Sequence, residues 1–125
     1  MPRTSKSTAP HVHVIDGVGE GRSEELDGYT VSFSSYTADH DSPAAFKGLP
    51  DDRCQARHWG YVLAGKVAFR YADREETFEA GDAFYTPPGH TPVVFKGTEV
   101  VQFTPTDEAD RTRQIVRKNL DASRS

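Results

Sequence analysis

Three side chains in the middle of the chain are of types that bind transition metals. Cys54, His58 and His90 offer one thiolate and two imidazoles, a donor set that suits zinc and also iron, nickel or copper. Three protein ligands leave a coordination position open for water or a substrate, and the carboxylate of Asp52 could add a fourth ligand. If the fold brings these residues together, they could hold a divalent metal that activates water or oxygen, or polarises a carbonyl group.

The spacing of these residues leaves a second interpretation open. Asp52, Cys54 and His58 have the same sequence parity, so on an extended chain they point to one face. On a straight strand, however, Cys54 and His58 would lie about 13 Å apart, too far to share one ion. Residues 55–57 contain no proline or glycine that would bend the chain. The alternative is a metal-free pocket with a buried, inert cysteine, two pocket-lining histidines and a solvated Asp52 carboxylate.

Some aromatic side chains are candidates for lining a ligand pocket, although most are expected in a core. Phe46 lies in the segment 39–52, which is polar and broken by proline and glycine. This segment is expected to be a loop over the mouth of a barrel, where an apolar ring could exclude water. Tyr61 and Tyr85 alternate with core residues, so their hydroxyls could hydrogen-bond a ligand, and a structural role fits them equally well.

The elements that must position these residues are predominantly β-strands. Short β-branched and aromatic runs between turn residues predict strands at His11–Ile15, Tyr29–Tyr36, 59–63, 67–71, 76–79, 83–85, 93–95 and 100–104. A helix is predicted from Thr106, because acidic residues come first, basic residues follow and apolar residues recur at helical spacing. Many short strands with one terminal helix predict an antiparallel barrel or sandwich.

Two segments of the chain are similar to the paired motifs of the cupin family, namely HWGYVLAGK and EAGDAFYTPPGH. The family patterns are H-x-H-x3-E-x6-G and G-x5-P-x-G-x2-H. The turn glycines Gly65 and Gly81 and the Pro-x-Gly corner that ends at Gly89 stand in the expected relative positions. The resemblance covers the central two fifths of the chain directly.

Several positions that hold metal ligands in these family patterns carry other residues here. Asp52 and Cys54 stand in place of the two histidines of the first motif, and His58 stands in place of its glutamate. Pro92 stands in place of the histidine that ends the second motif, while His90 has the same parity two residues earlier. If this chain binds a metal as the resemblance implies, Cys54, His58 and His90 would replace the usual ligands of the family.

The resemblance implies a single-domain, all-β protein with a cupin-type antiparallel barrel (a jelly roll) and a C-terminal helix. The expected organisation is a disordered polar lead over residues 1–10, a barrel over 11–105 and a helix over 106–120 that packs on the barrel. The barrel mouth would hold a small-molecule ligand, and such proteins often form homodimers through their N-terminal strands.

Composition narrows the expected partners. The formal net charge is −4 and the basic residues are scattered, which argues against nucleic acid or an anionic membrane surface. No apolar run approaches the ~20 residues that span a bilayer. A single cysteine excludes an internal disulfide and fits a reducing compartment. We therefore expect a cytoplasmic protein without a nucleic-acid or membrane partner.

Three functions remain open, because cupins include enzymes, sensors and storage proteins. The first is a metal-dependent enzyme that acts on a small metabolite. The second is a metal-free ligand-binding or sensing module without catalysis. The third is thiol chemistry at Cys54, with its pKa lowered by a nearby histidine.

Overall fold

Short alternating strands pair into two antiparallel sheets and a single helix follows them. The computed structural model describes residues 3–41 and 43–123, and within these ranges it contains ten strands and one α-helix, α1 (Thr106–Ser123). The strands are β1 (His11–Ile15), β2 (Gly19–Leu26), β3 (Tyr29–Tyr36), β4 (His40–Asp41), β5 (His58–Ala64), β6 (Lys66–Arg70), β7 (Glu75–Glu79), β8 (Ala83–Thr86), β9 (Thr91–Val94) and β10 (Glu99–Pro105).

The order of the strands gives a jelly roll. The larger sheet has the order β1-β2-β3-β10-β5-β8 and the smaller has the order β4-β9-β6-β7. All of these neighbours pair antiparallel. The predicted all-β class with a C-terminal helix is confirmed.

An apolar core joins the inner faces of the two sheets at one end of the barrel. Its buried members are Val62, Val67, Phe69, Phe84, Val94 and Val100. The phenyl ring of Phe84 stacks on that of Phe78 with 4.9 Å between centroids. Opposite this ring the sheet requires a glycine, because a Cβ on Gly60 would lie 2.4 Å from an atom of Phe84. Burial of each such side chain stabilises the fold by roughly 1.5–3 kcal/mol.

Two segments differ from the sequence-based expectation. Strand β2, GEGRSEEL, was not predicted, since it is polar and contains two glycines, and it forms by pairing with β1 and β3 along its length. Residues 3–10 are not the frayed lead that was expected. They contain a turn, Ala9 is fully buried, and Lys6 forms an ion pair with Glu99. Met1 and Pro2 lie outside the described residues.

The segment predicted as a loop over the barrel mouth is partly ordered into short elements. It contains β4 and two 3₁₀ turns, Pro43–Phe46 and Pro50–Asp52. Helix α1 packs on the first of these turns, where the Asn119 side chain donates hydrogen bonds to the carbonyls of Ala45 and Lys47, both at 2.8 Å. The helix and this turn therefore cover the same end of the barrel. In the part of the chain that is described, no helix is long and apolar enough to cross a bilayer.

Candidate functional site

Cys54 and His90 are held together by their backbones. The Cys54 amide donates a hydrogen bond of 2.8 Å to the His90 carbonyl, and the His90 amide donates one of 3.2 Å to the Cys54 carbonyl. These bonds form an isolated antiparallel bridge outside the named strands. Gly89 adopts a φ of 97°, in the left-handed region that glycine tolerates at little cost, and this turn delivers His90 to the bridge.

A residue that is distant in sequence contacts the chain where it bends between Cys54 and His58. Residues 55–57 belong to neither a helix nor a strand, and Ala56 is almost completely buried. The Arg57 amide donates a 3.0 Å hydrogen bond to the Glu108 carboxylate of α1, and the Arg57 guanidinium donates a further one at 2.6 Å. With this bend the Cys54 Sγ lies 3.8 Å from His58 Nε2, whereas the Cα atoms of the two residues would be ~13 Å apart on a straight strand.

The three candidate ligands converge on one point. Cys54, His58 and His90 each offer a ligand atom, and these atoms all lie within 4.8 Å of one another. Around a tetrahedral zinc ion with bonds of 2.0–2.3 Å, ligand atoms lie about 3.3–3.7 Å apart. The cluster is therefore slightly wider than a closed site, and side-chain shifts of less than ~1 Å would close it. The donor set and its spacing fit a divalent transition metal.

Each histidine is also oriented by a hydrogen bond from its second ring nitrogen. His90 Nδ1 lies 2.8 Å from the Pro87 carbonyl oxygen, which can only accept, so Nδ1 carries the proton and Nε2 keeps its lone pair. His58 Nδ1 lies 2.7 Å from the hydroxyl of Thr104. Partners of this kind fix the tautomer and the ring orientation of metal-binding histidines.

Burial keeps both imidazoles in the neutral form that binds metals. Burial, and then the neighbouring His90, lowers the pKa of His58 to about 3, and burial also lowers the pKa of His90. Burial raises the pKa of the Cys54 thiol, against weaker opposing hydrogen bonds from Ala56 and Thr112. The thiol is therefore protonated at neutral pH until a cation replaces its proton. This is the opposite of the lowered pKa that the thiol-chemistry hypothesis requires.

The cluster faces a cavity of about 260 Å³ under the helix. Phe46 and helix residues Ala109, Thr112, Arg113 and Val116 line it, so the covering elements form part of its wall. Toward the barrel interior the ring of Phe69 meets that of His90 edge-on, with 5.4 Å between centroids. The apolar core thus borders the cavity on one side, and α1 and the first 3₁₀ turn border it on the other.

Three sequence-predicted residues lie away from this cavity. Tyr61 and Tyr85 are 43% exposed on the outer face of the larger sheet. On β5 the residues that point inward have even numbers, like His58, so Tyr61 points outward. Tyr85 is the cross-strand partner of Trp59, which also points outward. The expectation that their hydroxyls reach the pocket is not met. Asp52 is exposed and accepts a 3.0 Å hydrogen bond from the Gly48 amide, which fits the solvated-carboxylate interpretation.

Several residues of the site were not among the sequence-based candidates. Gln102 and Thr104 of β10 line the cavity because they share parity with the core residue Val100. Arg113 and Glu108 come from α1, whose apolar stripe was predicted but whose docking position was not. The parity of β10 was a usable signal for Gln102 and Thr104. No comparable sequence signal pointed to the pairing of Glu108 with Arg57.

Comparisons with known proteins agree with this fold. Residues 52–103 match the family model described as Cupin domain. A search of curated proteins found no match. A structural genomics protein of unknown function from Rhizobium leguminosarum is similar, with a TM-score of 0.56 and 16% identity, over 83% of this chain and 95% of that one.

Two further solved structures have the same fold. An RmlC-like cupin from Shewanella frigidimarina has a TM-score of 0.54 and 16% identity, over 84% of this chain and 92% of that one. A variant of the oxalate decarboxylase of Bacillus subtilis has a TM-score of 0.55 and 15% identity, over 82% of this chain but only 28% of that longer chain. At such identities the likeness concerns the fold alone. The domain match over residues 52–103 and this shared fold together support a cupin-type jelly roll for the chain.

Proposed function

We propose that this protein is a small-molecule-binding cupin whose cavity holds a divalent transition metal at Cys54, His58 and His90. The observation that carries the proposal is the convergence of their ligand atoms to within 4.8 Å of one another. A thiolate and two imidazoles suit zinc, iron, nickel or copper. Three protein ligands leave one position of a tetrahedral site open toward the cavity, as in catalytic zinc sites.

The surrounding residues are suited to support such a site. Thr104 and the Pro87 carbonyl orient the two imidazoles, and burial holds both rings in the neutral form. Phe46 and α1 line the cavity, so they would shield part of a bound molecule from bulk water. A bound metal would supply Lewis acidity or an activated water molecule, and the size of the cavity restricts the organic ligand to a small metabolite.

A metal-free binding module is the second candidate function, and one observation favours it. Burial raises the pKa of the Cys54 thiol, so the apo site contains three neutral groups, like an ordinary polar pocket. In this case a metabolite that binds only the native state would raise the thermal stability equally with and without a strong chelator. Loss of that stabilisation in the chelator would exclude the metal-free function.

Elemental analysis and zinc titration of protein without a histidine tag test the metal proposal. We expect wild-type protein to bind one equivalent of zinc after removal of adventitious metal by a chelator. His58→Ala should lose most of this affinity, because it removes one of three ligands. His11→Ala is the matched control, since His11 is exposed on β1 and outside the cluster. Substoichiometric metal that is unchanged in His58→Ala would overturn the proposal.

A further inference from the structure

A second cavity, of about 190 Å³, adjoins the one that the ligand cluster faces. Ser32, Tyr36 and Arg113 line both cavities. The second cavity lies between the inner surface of β1, β2 and β3 and the side of α1 that carries Arg113. The three shared residues make the two cavities neighbouring compartments, and the Cys54–His58–His90 cluster lies in the first of them.

Hydrogen-bond donors line the second compartment. Hydroxyl groups come from Ser23, Ser32, Ser34 and Tyr36. His13 adds an imidazole whose Nε2 is buried and has no hydrogen-bond partner among the described residues. Burial, and then the charge of Arg113, lowers the pKa of His13, so its ring is neutral near pH 7. A buried polar atom without a partner is costly. In the tautomer with its proton on Nε2, His13 would donate that hydrogen bond to an oxygen of a bound ligand.

The charged side chains of this compartment differ in how strongly other protein groups already bind them. Glu20 lies 3.5 Å from the Arg22 guanidinium and its side chain is 54% exposed, so its charge is both paired and solvated. Arg22 also donates a hydrogen bond to the Ser7 carbonyl. Arg113 forms only a long ion pair, with 3.6 Å between its Nη1 and the carboxylate of Asp110. A guanidinium is planar and can bind a carboxylate through two parallel hydrogen bonds.

We propose that the two compartments form one site for a small organic acid, in which Arg113 binds a carboxylate group. A second oxygen-bearing group of the same molecule extends toward Cys54, His58 and His90. The end at these three residues rests on the proposed metal-binding function, whereas the end at Arg113 does not. The hydroxyls of Ser32 and Tyr36, which line both compartments, would contact the middle of the ligand.

Calorimetric titration with dicarboxylates of increasing length (malonate, succinate and glutarate) tests this assignment on tag-free, full-length protein. We expect at least one of them to bind wild-type protein, and Arg113→Gln to weaken that binding roughly tenfold or more, since hydrogen bonds to charged groups are among the stronger ones. Arg113→Lys should retain part of the affinity. Arg111→Gln, on an exposed position of the same helix, should leave it unchanged, and dimethyl esters of the same acids should not bind.

The titration is run on chelator-treated and on zinc-loaded protein, which separates the two proposals. If zinc adds nothing to the affinity while Arg113→Gln still weakens binding, the metal proposal fails and the carboxylate assignment holds. If Arg113→Gln and Arg111→Gln bind the dicarboxylates as well as wild-type protein does, the assignment is wrong. Binding of inorganic phosphate without binding of any dicarboxylate would also overturn it.

Discussion

Glu108, in the first turn of the C-terminal helix, accepts hydrogen bonds from both the backbone amide and the guanidinium of Arg57. This contact joins residues that are 51 positions apart and holds the short segment that separates Cys54 from His58. The helix therefore has two roles, since it covers the cavity and also maintains the bend that brings two candidate ligands together.

Replacing Glu108 should weaken metal binding without removing a ligand. We expect Glu108→Ala to lower zinc affinity by about tenfold, because supporting residues of metal sites typically contribute 10–100-fold. Asp107→Ala is the matched control, since it removes an acidic side chain from the same helical turn without affecting Arg57. Equal zinc affinity in the two variants, measured by competition with a chromogenic chelator, would show that the bend does not depend on Glu108.

Two buried threonines near His58 should respond in opposite ways to the same substitution. Thr104→Val removes the hydroxyl 2.7 Å from His58 Nδ1 and should lower zinc affinity by about 10-fold or more. Thr86 is fully buried, and its hydroxyl has no hydrogen-bond partner among the described residues. Thr86→Val should leave zinc affinity unchanged and raise the free energy of unfolding by about 1 kcal/mol, because it removes an unsatisfied polar atom. Zinc titration and urea denaturation of both variants check this pair of outcomes.

The buried histidines should make the metal-free protein unstable in acid. The pKa of His58 is lowered from 6.5 to about 3 in the folded state, and that of His90 is lowered as well. Between pH 6.5 and about pH 3 the unfolded chain binds more protons than the folded chain. The contribution of these neutral histidines to the free energy of unfolding is therefore present above about pH 6.5 and is lost as pH falls toward 3. His58 alone should contribute a slope of about 1.4 kcal/mol per pH unit.

Urea denaturation of chelator-treated protein between pH 7 and 4.5 measures that slope. His58→Gln should show a shallower dependence than wild-type protein, while the exposed-site variant His11→Gln should show the wild-type dependence. Parallel curves for wild-type and His58→Gln protein would mean that His58 is not buried in the neutral form.

The cover of the cavity should loosen when Asn119 is removed. Its side chain donates to the carbonyls of Ala45 and Lys47, so Asn119→Ala should lower the free energy of unfolding by about 1–2 kcal/mol. Amide exchange of residues 43–49 should become faster, and dissociation of zinc to a chelator should become faster too. Gln114→Ala, at an exposed position of the helix, is the control. Unchanged exchange in Asn119→Ala would contradict the described contact between helix and turn.

Local sequence patterns were sufficient for most of the fold. The predicted bounds of His11–Ile15 and Tyr29–Tyr36 agree with β1 and β3, because both runs are rich in β-branched or aromatic residues and end at turns. Strand β2 escaped prediction, since GEGRSEEL carries no apolar alternation and its conformation depends on its neighbours. The apolar stripe of α1 was recognisable, but amphipathicity alone does not indicate which surface a helix covers.

The candidate site was predictable in its residue types but not in its geometry. Cys54, His58 and His90 were recognised as ligand types, and their distance along a straight strand argued against convergence. The convergence follows from contacts that are remote in sequence, namely the Cys54–His90 bridge and the Arg57–Glu108 pair. The outward position of Tyr61 could have been predicted from the sequence, because it is an odd number of residues from His58 and therefore lies on the outer face of β5.

Electronic spectroscopy of the cobalt(II)-loaded protein tests the proposed metal site most directly. A thiolate ligand on cobalt(II) gives an intense ligand-to-metal charge-transfer band, and low coordination number gives strong visible bands. We predict that one equivalent of cobalt produces both features in wild-type protein, that Cys54→Ser loses the charge-transfer band, and that His11→Ala keeps it. A wild-type spectrum without a charge-transfer band, identical to that of Cys54→Ser, would contradict a site formed by Cys54, His58 and His90.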